Sequence, residues 1–107
     1  MTTRPILHLI GNAHLDPVWL WDRAKGIAEA VATLLSVVRL LHERPELTFT
    51  RGESLIYEEV RQRDPATFGE IQTLVRAGRL DVVGGNYLQP EMNLPHGDTS
   101  ARVFAEG

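Results

Sequence analysis

Short apolar runs of strand length alternate along this chain with apolar residues at helical spacing, and no other feature narrows the fold as far. Ile6, Leu7, Leu9 and Ile10 form the first run, closed by Gly11 and Asn12. A run apolar on both faces suits a strand covered on both sides, as in a parallel sheet. Ile27, Val31, Leu34, Val38 and Leu41 then recur at spacings of four, three, four and three, which puts them in one helical stripe. Asp22 reads as the N-cap of that helix. Gly26 weakens its first turn slightly, and Pro45 stops it near Arg44. Leu47, Thr48, Phe49 and Thr50 read as a second strand. Ser54 can cap a helix running to about Arg63. Asp64 and Pro65 read as an N-cap with a first-turn proline for a helix that carries Phe68, Ile71, Leu74 and Val75 and stops at Gly78. Leu80 to Val83 form a third strand, ended by Gly84 and Gly85. A loop with Pro90 and Pro95 follows, and a last helix begins near Asp98 or Thr99.

This order predicts an α/β fold with a parallel sheet and right-handed crossover helices. Three strands leave two open edges, and a closed β/α barrel takes about 250 residues. The 107 residues are therefore expected to be one part of a larger domain. Eleven basic against fourteen acidic residues give a net charge of -3, which supplies no basic field for nucleic acid. With no cysteine, disulfides and thiolate ligands are excluded, and any metal must be held by His, Asp or Glu. A reducing, cytoplasmic compartment fits. Met1 to Pro5 do not open a signal peptide: the apolar stretch that follows is short, is interrupted by His8 and lacks a small-residue cleavage site. Nothing approaches the roughly 20 apolar residues that span a bilayer, so no membrane partner is expected.

The chemistry-bearing motif is His14-Leu15-Asp16-Pro17-Val18-Trp19, directly after the first predicted strand. Ligands in β/α folds collect at the carboxyl ends of strands. In extended backbone His14 and Asp16 point to the same side, so an imidazole and a carboxylate can reach one cation. Pro17 biases Asp16 toward extended geometry, and Trp19 offers a broad face for stacking on a sugar ring. A bare His-x-Asp pair reads more readily as a loop histidine and a turn-capping aspartate; placement after a buried strand, with Pro17 and Trp19 attached, brings the two readings level.

The stretch from Leu9 to Trp21, LIGNAHLDPVWLW, resembles the opening strand of the α-mannosidases of glycoside hydrolase family 38. The resemblance continues through Phe49-Thr50-Arg51-Gly52-Glu53, Tyr57-Glu58, Gly78 to Gly85, and Gln89-Pro90-Glu91-Met92-Asn93-Leu94-Pro95. It implies that residues 1–107 are the N-terminal part of a seven-stranded β/α barrel. It further implies that His14 and Asp16 are two ligands of a divalent cation, usually zinc, and that Trp19 lines the mannose subsite. An α-mannoside glycan and the rest of the catalytic domain are the partners implied, with a homo-oligomer left open. The family is retaining. Its nucleophile, an aspartate that also ligates the metal, belongs to an Asp-x-Phe-Gly-type motif that this chain does not contain, so no catalytic nucleophile is expected here. Asn86-Tyr87 departs from an aromatic pair beginning with tryptophan, and Glu91 stands where an aspartate is usual. Both bear on the sugar pocket, and Glu91 is a candidate sugar-binding residue.

Two other functions fit parts of the pattern: a metal-dependent carbohydrate deacetylase, and a non-catalytic sugar- or metal-binding module. Of the remaining candidates, His8 is expected to be buried and hydrogen-bonded, His42 to sit at a helix C-terminus, and His96 to be a solvated loop residue. Asn12 is expected either to orient a ligand or merely to end the strand. Arg51 and Glu53 are expected to form a surface ion pair, with the barrel mouth as the alternative. Gly84-Gly85 lacks the spacing of a phosphate loop or dinucleotide fingerprint.

Overall fold

The structure, a computed structural model, describes residues 4–91 and 93–107. Its longest element follows from the longest periodic stripe. Helix α1 spans Arg23–Glu43, and Ile27, Ala30, Val31, Leu34, Val37, Val38 and Leu41 form its buried face. The Asp22 side chain accepts from the Lys25 N–H and closes the first turn. Strand β1 (Phe49–Arg51) leads into α2 (Ser54–Arg63) and α3 (Pro65–Arg76), and β2 (Leu80–Val82) follows. Asp64 caps α3 by accepting from the Thr67 N–H at 3.0 Å, with Pro65 in the first turn. At the other end of α3, Gly78 at φ 67° lets its own N–H reach Val75 O and the Arg79 N–H reach Leu74 O, which satisfies two terminal carbonyls. Helix α4 (Gly97–Ala105) comes last and buries none of its residues.

Strands β1 and β2 pair in parallel, with Phe49 opposite Leu80, Thr50 opposite Asp81 and Arg51 opposite Val82. The crossover is the α2–α3 pair, which packs with α1 over a core that includes Phe49, Leu55, Ile56, Val60, Ile71, Leu74 and Leu80. The fold is thus mixed α/β, with four helices and a two-stranded parallel sheet among the described residues. No helix among them is long and apolar enough to cross a membrane.

The first expected strand does not form as such. Ile6, Leu7, Leu9 and Ile10 are between 72% and 84% exposed, and pairing begins only at Gly11, which bridges Phe49 in parallel. There the Thr50 N–H donates to Gly11 O at 2.8 Å, and the Asn12 side-chain amide extends the contact to Thr50 O at 2.7 Å. The apolar pattern of residues 6–10 is one that a covered strand would have, but a β-strand needs a neighbour to bond to, and these residues have none among the described ones. His8, expected to be buried, is exposed with them for the same reason.

Ser54 is the first helical residue of α2 rather than its cap. The N-cap is Glu53, whose side chain makes no capping bond. The terminal N–H groups of Ser54 and Leu55 instead donate to the carbonyls of Asn86 and Tyr87, at 3.0 and 3.2 Å. The start of α2 is thereby tied to the loop that follows β2.

Candidate functional site

The extended segment, β1 and β2 run side by side, so their carboxyl ends lie together. A cleft of about 240 Å³ opens there, lined by Asn12, Ala13 and His14 from the segment, Arg51 at the end of β1 with Gly52 and Glu53 just after it, and Val83, Gly84, Asn86 and Gln89 from beyond β2. Gly52 is required by the close approach of the strands: a Cβ at that position would sit 2.6 Å from Val83 O. Gly84 and Gly85, at φ 93° and 63°, turn the chain sharply away after β2 and leave the cleft open.

From Gly11 to Pro17 burial alternates strictly. Gly11, Ala13, Leu15 and Pro17 face inward, while Asn12, His14 and Asp16 face outward. This is the period of an extended chain. It brings His14 Nε2 to 3.3 Å from Asp16 Oδ1, with each side chain about half exposed. That separation exceeds the usual N–H···O distance of about 2.9–3.0 Å. Among the described residues no cluster of three or more His, Asp or Glu could hold a metal ion, so the pair stands as two donors.

Both ends of this pair are held through the main chain. On one side the guanidinium of Arg51 donates through Nη1 to Ala13 O. On the other the Trp21 indole N–H donates to Asp16 O at 3.0 Å. Trp21 and Pro17 in turn press on α1, where a Cβ at Gly26 would lie 1.9 Å from Pro17 O and 2.7 Å from Trp21 Nε1.

Arg51 is 2% exposed and pairs with Glu53 at 3.1 Å, so the expected surface ion pair is a buried one. The reason is positional. Arg51 is the last residue of β1 and points toward the neighbouring segment, where Ala13 covers it, while Tyr57 donates to the Arg51 carbonyl at 2.9 Å. Its Nε finds no partner among the described residues. Glu53 adopts φ 69°, a left-handed conformation uncommon for a residue with a side chain. From there one carboxylate oxygen accepts from Arg51 and the other from the Gln89 N–H at 3.4 Å. Backbone strain of this kind concentrates at functional sites. Burial pushes the Tyr57 hydroxyl up to about 12, with the adjacent Arg51 charge acting in the opposite direction.

A family model described as the glycosyl hydrolases family 38 N-terminal domain matches residues 5–107. The chain belongs to family 38. Among its relatives, human alpha-mannosidase 2C1 is 28% identical over 101 residues, which is 94% of this chain and 10% of that protein. The alpha-mannosidase of Saccharomyces cerevisiae is 27% identical over 99 residues, 92% of this chain and 9% of its own length. Alpha-mannosidase G of Dictyostelium discoideum is 24% identical over 98 residues, with the same coverage. The chain thus spans about a tenth of the length of the curated relatives it matches.

Within this family 38 chain, His14 lines the cleft, and Asp16 stands beside it on the same side of the segment. Trp19 is 68% exposed and does not line the cleft. Glu91 is exposed, does not line the cleft and accepts from the Asn93 N–H at 3.0 Å. In the same family-like loop, Met92 lies outside the described residues, as do Met1 to Thr3. His42 pairs with Glu70 of α3 at 2.9 Å in the last turn of α1, and His96 is exposed at the start of α4. No role was expected of Trp21, which lies within the family-like stretch and donates its indole N–H to the Asp16 carbonyl. Nor was the depth of Arg51 expected, since an arginine ending a strand carries no mark of burial.

Proposed function

We propose that this chain forms part of the catalytic domain of a metal-dependent, retaining α-mannosidase acting on terminal α-mannosyl residues of glycans. In this reading the sheet is the start of a seven-stranded β/α barrel, and His14 and Asp16 supply two ligands of a divalent cation, zinc by preference. Membership of family 38 and the alpha-mannosidase names of the relatives support the activity class over a deacetylase. The observation that carries the metal reading is the His14–Asp16 separation at the mouth of the cleft. Two donors at about 2.0–2.2 Å from one tetrahedral zinc lie about 3.3–3.6 Å apart. The observed 3.3 Å fits that spacing.

When bound, a cation held by His14 and Asp16 would coordinate sugar hydroxyls and so help orient and distort the ring toward its oxocarbenium-like transition state. His14 and Asp16 hold their lone pairs on one side of a rigid extended segment. Trp19 presents an exposed aromatic face for the sugar ring, and Glu91 stands farther out as a polar contact to the substrate. The nucleophilic aspartate and the acid/base carboxylate are supplied from outside residues 1–107, so these residues alone are expected to be inactive.

The test uses the longer protein that carries this chain. It should release nitrophenol from a nitrophenyl α-mannoside, lose activity on dialysis against a chelator and regain it with Zn²⁺ or Co²⁺. Proton NMR should show the α-anomer as first product. Insensitivity to the chelator, or full activity in both H14A and D16A, would remove the metal from the reading. Release of acetate from an acetylated sugar without mannoside hydrolysis would remove the activity class.

A further inference from the structure

We infer that the buried Arg51–Glu53 pair is a positioning device for the His14–Asp16 pair, linking its placement to the loop that follows β2. The inference rests on the reading of His14 and Asp16 as cation ligands, and it concerns residues to which that reading gives no role.

Three observations carry it. Arg51 is among the most deeply buried side chains of the molecule, yet it is charged and sits at the functional end of β1 rather than in the apolar core. Its guanidinium is shared between two partners: Nη1 holds the carbonyl of Ala13, the residue immediately before His14, and Nη2 holds Glu53. Glu53 keeps a strained φ of 69° while its second carboxylate oxygen holds the Gln89 N–H, in the loop lining the far wall of the cleft. A chain of contacts therefore runs from the loop at Gln89 through Glu53 and Arg51 to the backbone that presents His14. A planar guanidinium suits this work because its donors diverge in a fixed fork and can bind two acceptors at once, which an ammonium does less well. The residues beside a metal ligand commonly set its orientation, and losing them weakens metal affinity by about 10- to 100-fold.

The experiment measures Co²⁺ binding to the metal-stripped longer protein, by visible absorption and by competition with a chromophoric chelator. E53Q, R51M and R51K are compared with H14A and with E59Q. Glu59 is a matched control, because on α2 it pairs with Arg63 of the same helix and with Arg23 of α1 and does not line the cleft. E53Q and R51M should each weaken Co²⁺ affinity about tenfold or more and alter the visible bands. R51M should also lower the melting midpoint, because it leaves the Glu53 carboxylate without its partner, so affinities are compared well below each melting transition, and R51K should recover part of the affinity by still donating to Ala13 O. If R51M fails to fold, E53Q decides, since glutamine keeps the volume and one acceptor. E53Q and R51K binding Co²⁺ as E59Q does, while H14A abolishes binding, overturns the positioning role alone. Wild-type protein that takes up no Co²⁺, or H14A that binds as wild type, overturns the ligand reading and the positioning role with it.

Discussion

Replacing Gly26 by alanine should destabilise this protein although it improves the intrinsic helix propensity of α1. In an unhindered helix the change gains about 1 kcal/mol. At Gly26, however, the new methyl would meet backbone: Pro17 O at 1.9 Å and Pro17 C at 2.6 Å, with Trp21 Nε1 at 2.7 Å. The two closest of these atoms are main-chain, so the Pro17 backbone has to move. Overpacking of this type costs about 1–3 kcal/mol, sometimes more. Displacing the indole also puts at risk its hydrogen bond to Asp16 O, worth about 1 kcal/mol net. The sum is a destabilisation of about 1–3 kcal/mol after the propensity gain is subtracted. Gly69 supplies the matched opposite case. It lies exposed within α3, and a Cβ there meets nothing within 4 Å. G69A should therefore stabilise α3 by up to about 1 kcal/mol. Hydrogen–deuterium exchange of native protein resolves both, because 1 kcal/mol of opening free energy is about a fivefold change in exchange rate. Peptides covering residues 16–30 should exchange faster in G26A, and peptides covering α3 slower in G69A. Protection gained at residues 16–30 in G26A would refute the reasoning that packing outweighs propensity there.

Four further outcomes follow from the same contacts. The Asp64 carboxyl lies below the ordinary aspartate range, first because it accepts from the Thr67 N–H and then from the Thr67 hydroxyl. Its contribution to α3 should be present above the unfolded value of about 3.9 and fade as pH falls through the lower folded value, so D64N should flatten the acid-side rise in α3 exchange. The buried Tyr57 hydroxyl, pushed up to about 12, keeps its proton when an unfolded tyrosine would lose it near 10. Stability present below pH 10 should therefore decline as pH rises toward 12, and Y57F should remove that decline in denaturant melts followed across this window. Arg79 donates to Leu41 O, Arg44 O and Leu47 O at 2.7–2.9 Å, closing the end of α1 and the turn after it. R79M should cost about 2–3 kcal/mol, read as loss of protection across residues 40–49, whereas a cost under about 0.5 kcal/mol would show those carbonyls well served by water. W19A should raise KM for a nitrophenyl α-mannoside about three- to tenfold with little change in kcat, as loss of one stacking face implies; an unchanged KM would remove Trp19 from the sugar subsite.

Local chemistry made much of this molecule legible in advance. The α1 stripe, the caps at Asp22 and Asp64, the stop at Gly78 and the turn at Gly84-Gly85 are all set by residues a few positions apart, and each stands where its neighbours demand. The same holds for His14 and Asp16 facing one side, because an extended backbone dictates it without any partner. Contacts between distant segments behaved differently. The apolar residues 6–10 specify what a strand would bury, yet hydrogen bonding is decided by the neighbour, and only Gly11 has one. Arg51 reads as surface charge until Ala13, thirty-eight positions away, closes over it. Gly26 reads as a weak spot in a helix until Pro17 and Trp21 fold back against it. In this protein the amino-acid order determined the elements, their caps and the direction of the His14–Asp16 pair, since those depend on backbone torsions and short-range hydrogen bonds. Only the tertiary structure decided which charges are buried, which glycines are indispensable and what holds the pair in place. Those properties belong to surfaces that come into existence when remote segments meet.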